Sequence, residues 1–280
     1  MKWRILSTIV LWAVVLAVLY YGNVGAGIFL LAVLSTLAQH ETHNLLEKCG
    51  YAPWRVIGLI LGVALILGTG LSATPGNLGW LPAWIALILG LLRLAKKPGD
   101  LPRLFGSVFA VIYIPDMLKY YGIILRDFGG SCFYGDGLGV VVWIIAVAKF
   151  TDVGAFVVGS AIGRTKLAPS ISPGKTWEGV CGGLALGALV AALGAHFAPN
   201  YLPNWLHPRL AALLALPLGV SAIVSDLAES SFKRCAGVKD SGRCIPGIGG
   251  ALDLIDSLLL TGPVAYYLLQ YFAKHLVQLH

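Results

Sequence analysis

Two pairs of carboxylates in this sequence have the spacing of one helical turn. Asp226 and Glu229 are three residues apart. Asp253 and Asp256 repeat that spacing. Residues three apart share one face of a helix, so each pair directs two carboxylates the same way. Both pairs lie within or at the edges of apolar segments, and an ionisable group at membrane depth costs about 2.5–3.5 kcal/mol. Because hard carboxylate oxygens suit Mg²⁺, we expect the four side chains to converge on a divalent cation.

The segment between the two pairs is rich in basic residues and glycines. Glycine lets backbone N–H groups approach an anion closely. The run at 246–253 leads into a helix start, where N–H groups and the helix dipole favour phosphate. Carboxylates for a metal beside bases for anions are typical of phosphoryl chemistry on a metal-bound nucleotide. The residues concerned are Lys233, Arg234, Lys239, Arg243, Gly237, Gly242, Gly247, Gly249 and Gly250.

A second cluster of polar residues occupies 152–179. Its SPGKTWEG segment is superficially similar to a P-loop, but Pro169 stands where that motif needs glycine, and we expect no preceding strand. The sequence instead predicts a turn at Pro173–Gly174 and a helix starting near Thr176. Glu178 would then lie in the first helical turn, where the dipole favours an acid. The polar residues of the cluster are Asp152, Arg164, Lys166, Ser170, Ser172, Lys175, Thr176 and Glu178.

The chain that must position these residues is largely apolar. Of its 280 residues, 58% are hydrophobic and 12% are charged, against about 25% charged in soluble domains. Its apolar blocks approach the length needed to cross a bilayer. We therefore predict an all-α, polytopic integral membrane protein with about nine transmembrane helices. The predicted spans are 5–21, 25–38, 56–71, 81–94, 104–124, 138–162, 179–197, 210–224 and 252–272.

The distribution of lysine and arginine predicts the orientation. Most of the 20 basic residues fall on one side if the N-terminus is cytoplasmic, in agreement with the positive-inside rule. Loops 163–178 and 227–251 then lie in the cytoplasm, where nucleotides are. We divide the chain into N-terminal transmembrane helices, 1–135, and a catalytic transmembrane region, 136–280.

The polar segment between the second and third spans is predicted to form a short interfacial helix around Leu45 and Leu46. His40 and His43 have a possible metal-binding spacing there. We favour simple contact of these histidines with water and headgroups, which is usual at an interface. The five cysteines are scattered and do not have the spacing of a zinc site.

Residues 230–256 resemble the signature of phosphatidate cytidylyltransferases, also called CDP-diacylglycerol synthases. The resemblance covers roughly 140–270 and includes LAPSISPGKTWEG. There are three departures: Ile248 replaces the family histidine, Leu254 replaces the family arginine, and Ala251 replaces a larger apolar residue. The matching residues are Ser230, Phe232, Lys233, Arg234, Lys239, Asp240, Ser241, Ile245, Pro246, Gly249, Gly250, Asp253, Ile255 and Asp256.

The resemblance implies that CTP and phosphatidate give CDP-diacylglycerol and pyrophosphate. We assign Asp226 and Asp253 as the principal Mg²⁺ ligands, and a second cation is left open. The remaining roles are grouped by chemistry. Glu229, Asp240 and Asp256 complete or orient the metal shell, and Lys233, Arg234 and Lys239 hold CTP phosphates or pyrophosphate. Ser172, Lys175 and Thr176 bind the lipid phosphate or nucleotide, and Lys166 and Asp152 are further candidates.

The resemblance also suggests a homodimer among membrane lipids, and the short loops suggest a bacterial inner membrane. We expect no nucleic-acid partner. Two alternatives stay open. One is a catalytically impaired paralogue that acts as a scaffold or lipid-binding protein, and the other is an ion or proton transporter. A CDP-alcohol phosphatidyltransferase is disfavoured, because its aspartate pattern is absent from the sequence.

Overall fold

The structure is a computed structural model that describes residues 24–71, 84–85, 88–89, 91–92, 97–128, 137–242 and 249–277. The predicted span 5–21 lies outside the described residues, as does much of 81–94. Arg243 and Ile248 lie outside them as well.

The described residues are mostly helical, with one small hairpin. The helices are α1 (Val24–Lys48), α2 (Arg55–Leu71), α3 (Leu101–Val111), α4 (Met117–Asp127), α5 (Leu138–Ile162), α6 (Trp177–Phe197), α7 (Pro208–Cys235), α8 (Ala251–Ile255) and α9 (Thr261–Val277). The strands are β1 (Lys166–Ala168) and β2 (Ser172–Thr176). Short 3₁₀ turns cover Pro98–Asp100, Pro199–Tyr201 and Asp256–Leu258, and a π-helical turn covers Ile112–Asp116.

Six helical stretches of the described residues are long and apolar enough to cross a membrane. This agrees with a polytopic helical membrane protein. The total of about nine spans and the cytoplasmic N-terminus stay predictions. The six stretches are Val24–Lys48, Leu101–Asp127, Leu138–Ile162, Trp177–Phe197, Pro208–Cys235 and Ala251–His275, and Arg55–Gly70 is a shorter apolar helix.

Two local predictions were wrong. The interfacial helix around Leu45 and Leu46 is the end of the continuous α1, and both leucines are buried. The segment 166–176 forms an antiparallel hairpin, in which Lys166 pairs with Thr176, so a short strand precedes SPGKTWEG where none was expected. Its turn is at 169–171, where the Ile171 N–H donates to Ala168 O (3.2 Å), so Pro173–Gly174 lies inside β2. Proline is tolerated there because a two-stranded sheet has only edge strands.

The chain divides into two compact units. The first consists of Met1–Ile123 and Phe232–Ile255, and the second of Ile124–Ser231 and Asp256–His280. The predicted catalytic region, 136–280, contributes to both units.

In the first unit, α1 packs against α2, α3 and the π-helical turn, and the short α8 packs on α1. Pro115 lies inside the π-helical turn and removes a backbone donor from the helix. One turn later, Lys119 pairs with the fully buried Asp116 at 2.5 Å. Ionisable groups at membrane depth normally occur in such pairs.

In the second unit, α5 and α6 pack along a row of glycines. A Cβ on Gly183 would lie 2.6 Å from the carbonyl oxygen of Thr151, and one on Gly154 would lie 2.9 Å from the carbonyl oxygen of Gly182. Transmembrane helices use small residues for such close backbone approach. The contact fixes the position of β2, which leads directly into α6.

We expect Gly183→Val to destabilise this helix pair. The added side chain must displace backbone, and overpacking typically costs about 1–3 kcal/mol. Thermal unfolding of the detergent-solubilised protein should show a lower midpoint. The control is Gly68→Ala in α2, where a Cβ meets open space. Equal midpoints for Gly183→Val and the unsubstituted protein would contradict the close packing.

Candidate active site

The second unit contains a cluster of three carboxylates. Asp226 and Glu229 lie on one face of α7, as their spacing predicted, and Asp256 begins the 3₁₀ turn after α8. One carboxylate oxygen from each residue lies within 4.8 Å of the others. Glu229 is fully buried, whereas Asp226 and Asp256 are partly exposed. Three hard oxygen donors this close suit a small divalent cation.

Serine side chains hold the Asp256 turn against α7. The Ser225 hydroxyl donates to the backbone oxygen of Asp256 and accepts from the Leu260 N–H at 3.3 Å. The Ser257 N–H donates to the Asp256 carboxylate at 2.6 Å. The spacing had suggested that Asp256 shares a regular helix face with Asp253. Asp256 instead joins the cluster through a turn.

Two lysines partly neutralise the cluster. Lys175 Nζ lies 2.6 Å from Asp226 Oδ2. Lys149 Nζ lies 3.8 Å from Asp256 Oδ1 and donates to the Ser257 hydroxyl at 2.9 Å. Sequence reasoning gave Lys149 no role. Its position inside an apolar span, three residues before Asp152, was the signal that could have identified it.

A cavity of about 330 Å³ opens beside Asp226 between α5, β2, α6 and α7. One part of its lining is apolar and another is polar, so the cavity can accommodate an amphipathic molecule. The lining brings together the predicted Ser172, Lys175, Thr176 and Asp226. The polar lining residues are Asp152, Ser160, Ser172, Lys175, Thr176 and Asp226, and the larger apolar ones are Phe156, Val180 and Ile223.

The hairpin that carries Lys175 is fastened to the start of α6. The Thr176 hydroxyl accepts from the Gly179 N–H at 3.1 Å and so caps the helix. The Glu178 carboxylate accepts from the N–H groups of Arg164 and Thr165, each at 3.1 Å. Glu178 thus orders the loop as well as occupying the favourable first turn. The side chain of Lys166, on β1, is exposed.

Asp253 lies in the first unit and is held by its own loop. Lys233 Nζ donates to Asp253 Oδ1 at 2.8 Å. Asp253 Oδ2 accepts from the Gly250 N–H at 2.8 Å and from the Ser241 hydroxyl at 2.9 Å. Asp226 belongs to the other unit, so convergence of Asp226 and Asp253 on one metal stays a prediction.

The start of α8 does not offer its N–H groups to a phosphate, contrary to the prediction. The Ala251 and Leu252 N–H groups donate to the Glu41 carboxylate at 3.1 and 2.9 Å. The Gly250 N–H is taken by Asp253. Sequence reasoning missed Glu41, because the predicted span ended at residue 38 and left this acid in a polar segment, whereas it lies inside α1.

The other predicted residues of this loop are more exposed. Lys239 and Asp240 are exposed immediately before Ser241. The Arg234 guanidinium donates to Val238 O at 3.2 Å, and Gly237 has a left-handed φ of 68°, which closes the turn. Contacts of Lys239, Asp240 and Arg234 with a substrate stay predictions.

Comparison with known proteins supports a common ancestry over the whole chain. The model of the cytidylyltransferase family matches residues 2–272. A phosphatidate cytidylyltransferase of Brucella suis is 33% identical over 276 residues, which is 97% of this chain and 94% of the relative. Two further phosphatidate cytidylyltransferases match over shorter regions. That of Pseudomonas aeruginosa is 55% identical over 45% of each chain, and that of Bacillus subtilis is 35% identical over 68% of this chain and 66% of its own.

The matched region contains α7, the Lys233–Asp253 loop and the hairpin with Lys175, so the residues that build the candidate site all lie within it. These comparisons and the geometry lead to one assignment: the chain is a multi-pass membrane protein that belongs to the cytidylyltransferase family.

Proposed function

We propose that this protein transfers the cytidylyl group of CTP to phosphatidate, giving CDP-diacylglycerol and pyrophosphate, at the cytoplasmic face of a membrane. The family assignment and the names of the relatives support this activity. The observation that carries the proposal is the cavity that joins the Asp226 carboxylate and Lys175 to an apolar lining. That combination fits a phosphate attached to acyl chains at the interface of a bilayer.

In the proposed reaction, a phosphate oxygen of phosphatidate attacks the α-phosphorus of CTP. A new P–O bond forms, the bond between the α-phosphorus and the bridging oxygen breaks, and pyrophosphate leaves with the electron pair. Phosphatidate is already anionic at neutral pH, so a strong base is unnecessary. The main task of the protein is to bring two anions together in line.

Residues of the cavity and of the Lys233–Asp253 loop are proposed to perform different parts of this task. Lys175 and the hydroxyls of Ser172 and Thr176 bind the lipid phosphate or a nucleotide phosphate. Phe156 and Ile223 exclude water and contact the apolar part of the lipid. Lys233, Arg234 and Lys239 are proposed to hold the CTP phosphates or the leaving pyrophosphate, with Asp240 beside them.

The carboxylate cluster fits Mg²⁺ by the chemistry of its donors. Asp226, Glu229 and Asp256 would hold the cation, and a second cation is left open. When bound, the metal supplies charge neutralisation of the phosphoryl oxygens. We keep Asp253 as a proposed ligand as well.

The departures from the family signature leave this cluster intact. Leu254 replaces a family arginine, but Lys149 provides a cation beside Asp256. Ala251 is buried at the start of α8. We therefore favour an active enzyme over an impaired paralogue. A bacterial inner membrane and a homodimer complete the proposal, supported by the bacterial relatives and by the family resemblance respectively.

The test is incorporation of α-labelled CTP into chloroform-extractable product by the purified protein. We expect product with phosphatidate and Mg²⁺, and none with EDTA or with diacylglycerol, which lacks the attacking phosphate. Pyrophosphate should appear in equal amount. Product without phosphatidate, or no product under any condition, would overturn the proposal. Ion flux through proteoliposomes without nucleotide would favour a transporter instead.

A further inference from the structure

Glu41 is a fully buried acid in α1, at 1% exposure. A buried charge is stable only when donors satisfy it. Glu41 Oε1 accepts from the Ala251 N–H at 3.1 Å, and Oε2 accepts from the Leu252 N–H and the Ser241 hydroxyl, both at 2.9 Å. All three donors lie at least 200 positions away in the sequence. This single carboxylate therefore ties α1 to the loop and helix that carry Asp253.

Two glycines make room for this contact. A Cβ on Gly242 would lie 2.2 Å from Glu41 Oε1, and a Cβ on Gly250 would lie 2.2 Å from Oε2. Any other residue at either position would displace the carboxylate. Gly242 and Gly250 thus leave space for the Glu41 carboxylate. The sequence had suggested that glycines of this loop make room for a phosphate.

Ser241 connects Glu41 directly to Asp253. The Ser241 oxygen lies 2.9 Å from Glu41 Oε2 and also 2.9 Å from Asp253 Oδ2. A hydroxyl has one proton to donate, so Ser241 lies between the two carboxylates and donates to one of them at a time. The Ser241 N–H also donates to Asp253 at 3.1 Å.

We propose that Glu41 is a positioning residue for cytidylyl transfer, which fixes the Asp253 carboxylate by holding Ser241 and the first N–H groups of α8. The inference rests on the proposed function, because Asp253 must act in that reaction. We place Glu41 outside contact with either substrate, because its carboxylate is buried and bonded to donors of the chain itself. Its effect on turnover passes through Ser241 and α8, so variants at Glu41 and Ser241 should share one effect.

The experiment compares Glu41→Gln, Ser241→Ala and the double variant with the unsubstituted protein, all full length and in nanodiscs. Glu47→Gln is the matched control, because Glu47 lies on the same helix and pairs with Arg55 at the surface. Three quantities are measured: kcat and KM for CTP, the thermal midpoint, and hydrogen exchange of peptides containing Ala251 and Leu252. The exchange measurement needs no enzyme activity.

We expect Glu41→Gln to lower kcat about 10- to 100-fold, the usual cost of losing an outer-shell partner. KM for CTP should change little, and exchange should rise at Ala251 and Leu252 but not in the α5–α6 pair. Ser241→Ala should also lower kcat. The double variant should be no worse than Glu41→Gln, because residues that act as one unit are not additive.

Unchanged kcat in Glu41→Gln would overturn the inference, and so would additive effects of the two substitutions. If Glu41→Gln unfolds the whole protein, Ser241→Ala becomes the deciding variant, since it removes only the bridging hydroxyl. Normal turnover in Ser241→Ala would then refute the proposed connection from Glu41 through Ser241 to Asp253. If the unsubstituted protein makes no CDP-diacylglycerol, the proposed function fails, and the local exchange measurement still decides whether Glu41 orders α8.

Discussion

Asp226→Asn should abolish most turnover while the protein stays folded. The substitution keeps the shape of the side chain but removes a carboxylate from the cluster with Glu229 and Asp256. It also removes the partner of Lys175. Loss of one such electrostatic group typically lowers kcat about 100- to 1,000-fold. The measurement is labelled CTP incorporation at saturating Mg²⁺ and phosphatidate.

Asp127→Asn provides a matched control. Asp127 pairs with Arg126 at 2.7 Å with a side-chain exposure of 26%, against 24% for Asp226 in its 2.6 Å pair with Lys175. Each of these partly exposed pairs should contribute no more than about 1 kcal/mol to stability. We therefore expect similar thermal midpoints for the two variants and near-normal turnover only for Asp127→Asn. Equal turnover in both would refute the role of Asp226.

Asp253→Asn should have an effect of similar size for a different structural reason. Both carboxylate oxygens accept hydrogen bonds, from Lys233 on one side and from Ser241 and Gly250 on the other. An amide offers one acceptor oxygen, and its NH₂ group would face one of these donors. We expect kcat to fall about 100-fold or more, measured in the same assay.

Two further variants show what Asp253 does. Asp100→Asn is the control, because Asp100 pairs with Arg103 and its side chain is 12% exposed, close to the 14% of Asp253. Lys233→Met removes the cation and leaves the carboxylate. If Asp253 served only to hold Lys233, Asp253→Asn and Lys233→Met would lower kcat equally. A larger loss in Asp253→Asn is expected, and near-normal turnover in that variant would exclude a direct role.

The membrane helices could be predicted because their signal is local. Blocks of apolar residues that approach the length of a membrane span predicted helices at six stretches, which the structure describes as helices long enough to cross a membrane. The hairpin at 166–176 could not be predicted in this way, since its strands have only 3 and 5 residues and one contains Pro173 and Gly174. Glu178, which lies outside the hairpin, fastens the preceding loop to α6.

The candidate site was predictable where spacing along one helix decided the geometry. Asp226 and Glu229 share a face of α7 for that reason. Asp256 reaches them through a turn held by Ser225, and Lys149 comes from another helix. Glu41 meets its donors across more than half of the chain, so no local pattern could assign the glycines beside it.

The most direct test of the account is Mn²⁺ binding measured by electron paramagnetic resonance on the purified protein with a hydrolysis-resistant CTP analogue present. We expect a protein-bound Mn²⁺ signal in the unsubstituted protein. That signal should be lost when Asp226 and Asp256 are both changed to Asn, and it should persist in Asp127→Asn. An undiminished bound signal in the Asp226→Asn, Asp256→Asn double variant would contradict the assignment of this cluster as the metal site.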